Sequence, residues 1–270
     1  VFLLFLAPYV FSLIVAQGRM ALPAGFLGLV QSSFLQAALS ALFAVTLGIL
    51  TGVGLLGLPQ RLRRSTEAAV LVGSFVPSIA WVLMWMVLLP NVRGVTAIVI
   101  LHAVSSAGLI ASAVVRKVRT RWAGSLELAM VEGATRGLMW RRGLLPLLRS
   151  DLVTYLLTIF ASSLSSFSIP LLMGGAEAWT FEIAIHQAVR IHSAWDQVAA
   201  LTLWQWITLT VLLFVSRSRV PLRAGAIDHR ESRAVEKYGW KPLVLLGVMP
   251  VASVLIVLLS SALRGVQQLE

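Results

Sequence analysis

The sequence contains no cysteine and few charged residues, and both absences narrow the classes of protein to which it can belong. Without cysteine, disulfide bonds and thiolate metal sites are excluded. Charged residues make up only 12% of the 270 residues, whereas soluble domains usually carry about 25%. Hydrophobic residues make up 58%, and the mean hydropathy is +0.88. These values exclude an ordinary soluble domain and indicate an integral membrane protein.

Apolar runs of about twenty residues recur along the chain, and this is the length that an α-helix needs to cross a bilayer. The period-two alternation of a membrane β-barrel is absent from the sequence, so helices are the favoured spanning structure. We therefore predict an all-α fold, a polytopic transmembrane helix bundle of about seven spans. The predicted spans cover residues 1–16, 32–58, 68–89, 95–115, 152–173, 198–215 and 242–263.

Basic residues outnumber acidic ones, 22 against 11, and most of them lie in three segments between the spans. If the seven spans alternate in direction, the segments 61–64, 116–149 and 217–241 all fall on one side of the membrane. By the positive-inside rule that side is cytoplasmic, and the N-terminus is then cytoplasmic too. The positive charge therefore indicates cytoplasmic loops next to the lipid bilayer, and we expect no nucleic acid as a partner.

Glycine and proline predict where the spans pack closely and where they bend. The second span carries Gly48, Gly52, Gly54 and Gly57. Small residues let helix backbones approach each other in a membrane, so we expect this span to be an interior helix. The third span contains Pro77, which lacks the backbone N–H of a regular helix and is expected to bend it.

A basic, helix-prone stretch interrupts the apolar pattern between the fourth and fifth spans. It is too charged to cross a bilayer and too apolar for a solvated linker. Its spacing resembles the EAA loop of ABC-importer permeases, in which Glu-Ala-Ala, a glycine after three intervening residues and a later Leu-Pro pair stand at fixed intervals. The residues at those intervals are Glu127, Ala129, Gly133, Leu145 and Pro146.

Two positions of this stretch depart from the family pattern, since Leu128 replaces an alanine and Gly143 replaces an apolar residue. From the residue types alone, we expect Glu127 and Ala129 to open a helix and Gly133 to permit a sharp turn. Pro146 is expected to end the element before the fifth span, for which Asp151 is a good capping residue. An apolar face for a partner is expected from Leu138, Met139 and Trp140. The alternative is an amphipathic helix that only lies on lipid.

The resemblance covers about residues 32–217. It implies a core of five to six helices of the type I ABC-importer kind, in the bacterial inner membrane, with a cytoplasmic coupling helix. It also implies a pair of separate ATP-binding subunits as partners. The sequence has no Gly-x-x-x-x-Gly-Lys-Ser/Thr phosphate loop, so we expect the chain to be no enzyme, to use no cofactor and to leave ATP hydrolysis to that partner.

Polar residues inside two spans are candidates for a translocation pathway. Ser162, Ser165 and Ser166 share one face of the fifth span at helical spacing, and His102 lies in the middle of the fourth. The alternatives are serines that only allow close packing and a neutral histidine bonded to a neighbour. No acidic residue lies inside a predicted span, which argues against a carrier driven by protons or sodium ions.

The predicted external loop 176–197 carries Glu182, His186 and Arg190 at four-residue intervals. This polar stripe predicts a lid that also meets an external substrate-binding protein. The alternative is an ordinary interfacial helix anchored by Trp179 and Trp195. Histidine and carboxylate spacing does not favour a metal site here.

The run from Met173 to Ala188 resembles the segment after the fifth span in thiamine permeases and their ferric-iron relatives, with His186 in place of a tyrosine. This resemblance implies thiamine as cargo, with ferric iron as the near alternative and polyamine as a more distant one. Those relatives fuse two permease halves. We therefore divide this chain into a first span with its loop, a permease core, a basic linker and a seventh span. Either the seventh span begins a second permease half, or the chain is one half that pairs with a second copy or with another chain. The boundaries are 1–31, 32–216, 217–241 and 242–270.

A second class of function is a structural or scaffolding membrane protein whose charged stretch lies on the membrane surface. A membrane enzyme is the third class, but it would need acids or histidines clustered at one depth, and the sequence shows none. Co-purification of an ATPase subunit distinguishes the importer from the scaffold.

Overall fold

A computed structural model describes residues 2–175, 179–217, 236 and 239–267. Within these ranges the regular structure is entirely helical, which confirms the predicted all-α class. Short π-helical turns lie at Met139–Leu144 and Ala188–His192, and a 3₁₀ turn lies at Lys241–Val244. The α-helices are α1 Phe2–Val15, α2 Phe26–Leu56, α3 Gln60–Gly73, α4 Ser78–Leu88, α5 Val95–Arg121, α6 Ala123–Val131, α7 Arg136–Leu138, α8 Leu145–Leu164, α9 Ser168–Met173, α10 Phe181–Gln187, α11 Trp195–Arg217 and α12 Leu245–Gln267.

Four of the predicted spans are single helices that are long and apolar enough to cross a membrane. They correspond to α2, α5, α11 and the segment Lys241–Ser261, which includes most of α12. A fifth candidate is the pair α3 and α4, which is bent by 95°. The described part of the chain therefore has fewer unbroken spans than the seven predicted. The first predicted span is the 14-residue helix α1, and the fifth is divided between α8 and α9.

The third predicted span is broken at Pro77, where the sequence predicted only a bend. Helix α3 ends at Gly73, and α4 starts at Ser78, directly after Pro77. Proline cannot donate a backbone hydrogen bond, and it disfavours the helical conformation of the preceding residue, Val76. Both effects act on the same short segment, so the helix stops there and restarts in a new direction.

The fifth predicted span begins earlier and ends earlier than its apolar run indicates. Helix α8 starts at Leu145, so Pro146 lies in its first turn and does not end the preceding element. A π-helical turn comes directly before it, and the N–H of Leu145 donates to the carbonyl of Trp140. This longer hydrogen-bond step lets a proline follow without interrupting the helical segment. Asp151 therefore lies inside α8 and not at its start, and it pairs with Lys117 at 2.6 Å.

Helix α8 ends at Leu164 because serine and proline compete with the helix beyond that point. Ser165 Oγ donates to the carbonyl of Ala161 at 2.9 Å, which is a side-chain bond that weakens the regular helical ladder. Pro170 stands in the first turn of α9, where its missing N–H costs nothing. The result is a second break, at residues 165–167, in a span that was predicted to be continuous.

Glycines bring α2 and α5 into close contact, as the sequence predicted for an interior helix. A side-chain carbon built on Gly48 would lie 2.8 Å from Ile110 Cγ2, and one built on Gly52 would lie 3.0 Å from Val114 Cβ. Gly52 lies four residues after Gly48, and its contact Val114 lies four residues after Ile110. The two helices therefore run in the same direction. Any larger side chain at these glycines would force the helices apart.

The same end of α2 receives the last described segment. The N–H of Trp240 donates to the carbonyl of Val53 at 3.2 Å, and a carbon built on Gly57 would lie 3.1 Å from the backbone nitrogen of Lys241. Helix α12 then packs against α2, α3 and α4, with Val251 against Gly73. The last helix therefore packs against the bundle, while many of its apolar side chains stay exposed. Most of the predicted basic linker 217–241 lies outside the described residues.

Basic residues from separate parts of the chain meet at this end of the bundle. Glu67 lies within coulombic range of Arg63, Arg116 and Arg119. Because α2 and α5 are parallel, their C-terminal ends and the basic segments that follow lie together. The geometry agrees with the alternation of spans on which the predicted topology depends.

The opposite end of the bundle gathers the loops that were predicted to be external. The N–H of Gly94 donates to the carbonyl of Met173 at 2.8 Å, and Ser32 Oγ donates to the carbonyl of Trp179 at 2.6 Å. Helix α2 begins at Phe26, so the predicted loop 17–31 is shorter than expected. Gly25, with φ of 78°, makes the turn into the helix.

Candidate functional site

A cavity of about 520 Å³ lies among α4, α5 and α8, within the size range of about 300–1,000 Å³ that small-molecule sites occupy. Four residues that the sequence analysis selected for a pathway line it together: His102, Ser162, Ser165 and Ser166. They come from two helices that are far apart in sequence, so their meeting in one cavity does not follow from helical spacing alone.

Both helix breaks open onto this cavity. Ser74, Val76 and Ser78 line it from the break between α3 and α4, and Ser166 and Phe167 line it from the break between α8 and α9. In membrane proteins, non-helical backbone at membrane depth is tolerated where it is buried in protein or lines a water-filled cavity. The position of the breaks therefore fits a polar cavity inside the bundle.

Two buried side chains beside the cavity each have a polar atom that is covered by protein and has no hydrogen-bond partner among the described residues. His102 is 6% exposed and Trp81 is fully buried. His102 Nδ1 lies 3.0 Å from the carbonyl oxygen of Ile98. A carbonyl can only accept, so Nδ1 carries the hydrogen and the neutral ring leaves Nε2 as an acceptor. Among the described residues, neither His102 Nε2 nor Trp81 Nε1 has a hydrogen-bond partner.

Hydroxyl groups complete the polar wall of the cavity. Ser105 Oγ donates to the carbonyl of His102 at 3.2 Å, and Ser165 Oγ donates to the carbonyl of Ala161. These bonds use the hydroxyl hydrogens, so the oxygen lone pairs stay available as acceptors. Ser74 Oγ accepts from the N–H of Leu109 at 3.0 Å and keeps its own hydrogen to donate. The wall thus offers both donors and acceptors.

The predicted lid residues lie in and after α10, at the end of the bundle that gathers the external loops. Thr180 caps this helix by accepting from the N–H of Ile183. Glu182 accepts a hydrogen bond of 2.6 Å from Gln205 Nε2 of α11. Burial raises the pKa of Glu182 above its ordinary value, and the bond from Gln205 offsets this only in part.

His186 and Arg190 do not share one environment, although their spacing suggested a single stripe. The His186 ring lies 5.2 Å from the ring of Phe167, which lines the cavity. Arg190 is exposed and lies in the π-helical turn that follows α10. The wider turn shifts the register after Gln187, so the four-residue spacing no longer marks one face.

The predicted coupling loop folds as a short helix with a glycine turn. Helix α6 starts at Ala123, so Glu127 and Ala129 lie in its later half and do not open it. The helix starts earlier because Trp122 ends α5 and only that residue separates the two helices. Gly133 has φ of 76°, and the N–H of Ala134 donates to the carbonyl of Ala129 at 2.9 Å. This is the Schellman turn that glycine favours at a helix end.

The exposed apolar surface of this loop differs from the one expected from the sequence. Met139 is buried, and Trp140 is partly buried because it packs against the core of α2, α5 and α8. Of the three expected residues, only Leu138 is classed as exposed, at 42%. Three further apolar side chains are exposed around it: Leu128, Val131 and Leu145.

Gly143, where the family pattern has an apolar residue, is buried beneath Trp122. A side-chain carbon built there would lie 2.6 Å from Trp122 Cη2. The indole of Trp122 thus fills the space that a larger residue at position 143 would occupy. The departure from the pattern is explained by this contact between the start of α6 and the π-helical turn.

The fold is similar to that of solved transport proteins. A chain of "a bacterial ABC transporter involved in the import of the acidic polysaccharide alginate" matches with a TM-score of 0.60 and 16% identity, over 79% of this chain and 84% of that one. This chain has an ABC-transporter permease fold. A structure of the bacterial alginate ABC transporter in complex with alginate pentasaccharide-bound periplasmic protein matches with a TM-score of 0.59 and 16% identity, over 81% and 82%. No protein-family model and no curated protein matches the chain.

Several cavity residues were not selected from the sequence. Trp81, Ser74 and Ser78 line the cavity, but the sequence analysis predicted none of them as a pathway residue. Their signal was the proline between the two serines. A break at Pro77 exposes polar residues on both sides of it, but apolar periodicity does not reveal on which side of the helix they then lie.

Proposed function

We propose that this chain is the transmembrane permease subunit of an ABC importer and forms part of the translocation pathway for a small hydrophilic solute. One observation carries the proposal: the polar cavity, at two helix breaks, brings together the four pathway residues that the sequence selected. The permease fold shared with the solved transporters supports it. The chain itself is not an ATPase in this proposal.

The coupling loop is the proposed contact with a separate ATP-binding subunit, one of a pair. Glu127 is exposed on α6, and the Schellman turn at Gly133 reverses the chain beside it. The exposed apolar side chains of the loop, such as Val131 at 83%, would be covered by that partner. Pro146 and Leu145 are exposed where α8 begins, so they lie at the edge of the same surface.

Helix α8 offers a mechanical route from the loop to the cavity. The helical structure is continuous from Arg136 to Leu164, and the 20 residues of α8 alone extend for about 30 Å. Ser162 is near the far end of this rod. A displacement of the loop by a closing ATPase pair would therefore reach the cavity wall as a rigid-body movement, which is how transporters of alternating access change state.

The remaining partners follow from the same proposal. A periplasmic or extracellular substrate-binding protein would dock at the end that carries α10, with Glu182, His186 and Arg190 as the lid. A second permease half would face the open side of the cavity, supplied by the continuing chain, a second copy or another protein. Thiamine is the proposed cargo on the resemblance of residues 173–188, with ferric iron and polyamine as alternatives, although the comparisons do not support this choice. The proposed location is the bacterial inner membrane, with the N-terminus inside.

The test is a substitution that disturbs the coupling turn without disturbing insertion. Gly133→Asp places a side chain at φ of 76°, a left-handed conformation that costs a non-glycine residue about 1–2 kcal/mol, and adds a charge to the docking surface. Gly124→Asp is the matched control, because this glycine is exposed on α6, the helix that leads into the turn, and a side chain there meets open space.

Both variants are reconstituted in proteoliposomes with the ATPase subunits that co-purify with the chain and with the binding protein, and ATP hydrolysis is measured with and without loaded binding protein. We expect Gly133→Asp to lose the stimulation while Gly124→Asp keeps most of it. Equal stimulation in the wild type and in a Gly133→Asp, Glu127→Lys double variant would contradict the proposal. Failure of the wild-type chain to bind any ATPase subunit would favour a scaffolding protein instead.

A further inference from the structure

We propose that the ion pair between Lys117 and Asp151 links the two walls of the cavity, so that movement of the coupling loop displaces α5 together with α8. Both are positioning residues, because neither lines the cavity. This proposal rests on the importer function proposed above and specifies how α5 follows the movement of α8.

The ion pair lies between the coupling loop and the cavity. Asp151 is six residues after Leu145, where α8 begins. Ser162, which lines the cavity, is eleven residues beyond Asp151, and Ser106 of the α5 wall is eleven residues from Lys117. Eleven residues make about three helical turns, or about 16 Å. On each helix the charged residue and the cavity residue therefore share one face.

Helices α5 and α8 contact each other much less than each of them contacts α2. Both pack along α2, whereas direct contact between them is limited. Lys117 Nζ and Asp151 Oδ2 are 2.6 Å apart, which is the distance of a short charge-assisted hydrogen bond between the two helices. Tyr155, one turn nearer the cavity on α8, lies within coulombic range of Arg116 of α5. This side of α8 therefore faces the basic end of α5.

Burial makes the ion pair an effective link. The side chains of Lys117 and Asp151 are only 10% and 25% exposed. Exposed ion pairs are screened by water and often contribute little, whereas breaking a buried pair leaves an uncompensated charge. If α8 moved without α5, the largely buried Lys117 would lose its carboxylate. Separate movement of the two helices is therefore unfavourable.

Joint movement of the helices keeps the two walls of the cavity in a fixed relation. His102 and Leu109 line the cavity from α5, and Thr158 and Ser162 line it from α8. The continuous helical segment from the coupling loop accounts for movement of the α8 wall alone, and the ion pair extends that movement to the α5 wall. The cavity then opens and closes against the second permease half, and not between α5 and α8.

The first experiment measures the distance between α5 and α8 during the ATP cycle. Because the chain has no cysteine, Leu109→Cys and Thr158→Cys introduce two unique sites for spin labels, both at exposed positions of the cavity wall. Electron paramagnetic resonance gives the distance between the labels in the reconstituted complex, without nucleotide and with vanadate-trapped nucleotide. We expect the same distance in both states. When Asp151→Asn is added, we expect the distance to differ between the two states.

The second experiment measures ATP hydrolysis with and without loaded binding protein. Asp151→Asn should lower the stimulation by about fivefold or more, the low end of the usual range for coupling between two sites. The double variant Lys117→Asp, Asp151→Lys exchanges the two charges and should recover part of the stimulation. Glu236→Gln is the matched control and should leave stimulation unchanged. It also removes a carboxylate that pairs with a lysine, here Lys241 at 3.8 Å, but that lysine begins the turn that packs on α2.

The proposal is overturned if the label distance differs between the two states while the ion pair is intact. Loss of stimulation in Asp151→Asn at a constant label distance would mean that the pair only stabilises the fold, and this also overturns it. Melting temperatures show whether each variant is folded, and Lys117→Gln replaces Asp151→Asn if the latter is not. A wild-type complex without stimulation contradicts the importer function itself, whereas full stimulation in folded Asp151→Asn contradicts only the proposed link.

Discussion

Restoring an apolar residue at position 143, as in the family pattern, should destabilise this protein. Gly143 lies under the indole of Trp122, and the first carbon of any side chain would lie 2.6 Å from Trp122 Cη2 and 3.5 Å from Met139 Cε. The Trp122 ring closes the junction between α5 and α6. In Gly143→Leu the Trp122 ring must therefore move, and the start of α6 must move with it.

The magnitude follows from the packing. Inserting atoms into a filled site costs about 1–3 kcal/mol, and a loss of that size lowers the melting temperature by several degrees. Trp122→Ala alone should also destabilise, by about 2–4 kcal/mol, since the ring is only partly buried and a fully buried tryptophan costs more. In the double variant, leucine fills part of the space that the ring left. The two effects should thus fall short of their sum by about 1–3 kcal/mol.

The assay is thermal unfolding of the purified variants in one detergent, followed by ATP hydrolysis in the reconstituted complex. Gly124→Leu is the matched control, because that glycine has open space around it. We expect Gly143→Leu to unfold at a lower temperature than Gly124→Leu and to show weaker stimulation by the binding protein. The reasoning is refuted if the two leucine variants melt alike and the Trp122 and Gly143 effects are additive.

Two further predictions concern ionisable groups. Asp151→Asn should lower the free energy of unfolding by about 2–3 kcal/mol, because it leaves Lys117, whose side chain is only 10% exposed, without its carboxylate. The measurement compares the unfolding of Asp151→Asn with that of a Lys117→Met, Asp151→Leu double variant. A double variant less stable than Asp151→Asn would contradict the prediction. The raised pKa of Glu182 stabilises the folded state at low pH, and this contribution is lost as the pH rises from the ordinary glutamate pKa through the raised pKa. Glu182→Gln should therefore gain stability relative to the wild type as the pH rises, which melting experiments measure. A stability difference that does not change with pH would refute this prediction.

The parts of the fold that depend on composition and helical spacing could be predicted. Gly48 and Gly52 indicated an interior helix because small side chains have one common use in a membrane, and these glycines lie against α5. Gly133 indicated a turn because glycine adopts positive φ without strain. In each case the residue type alone restricts the structure.

The contacts that depend on the tertiary structure could not be predicted. Gly143 departs from the family pattern for a reason that lies in Trp122, twenty-one positions earlier in the chain. Pro77 indicated a bend, but the 95° change of direction also depends on how α4 packs against α9 and α12. The cavity needs both helix breaks at one place, which no local pattern encodes.

The break at residues 165–167 links three sets of residues that the sequence could only select separately. On one side, α8 continues back through the π-helical turn to the coupling loop, so the loop and the break are joined by one rod. At the break, Ser165 and Ser166 line the cavity. On the other side, the Phe167 ring contacts His186 of the proposed lid. If α8 moves as a unit, the cavity wall and the lid contact must change together, because the break is the first interruption of the helix after α8 begins.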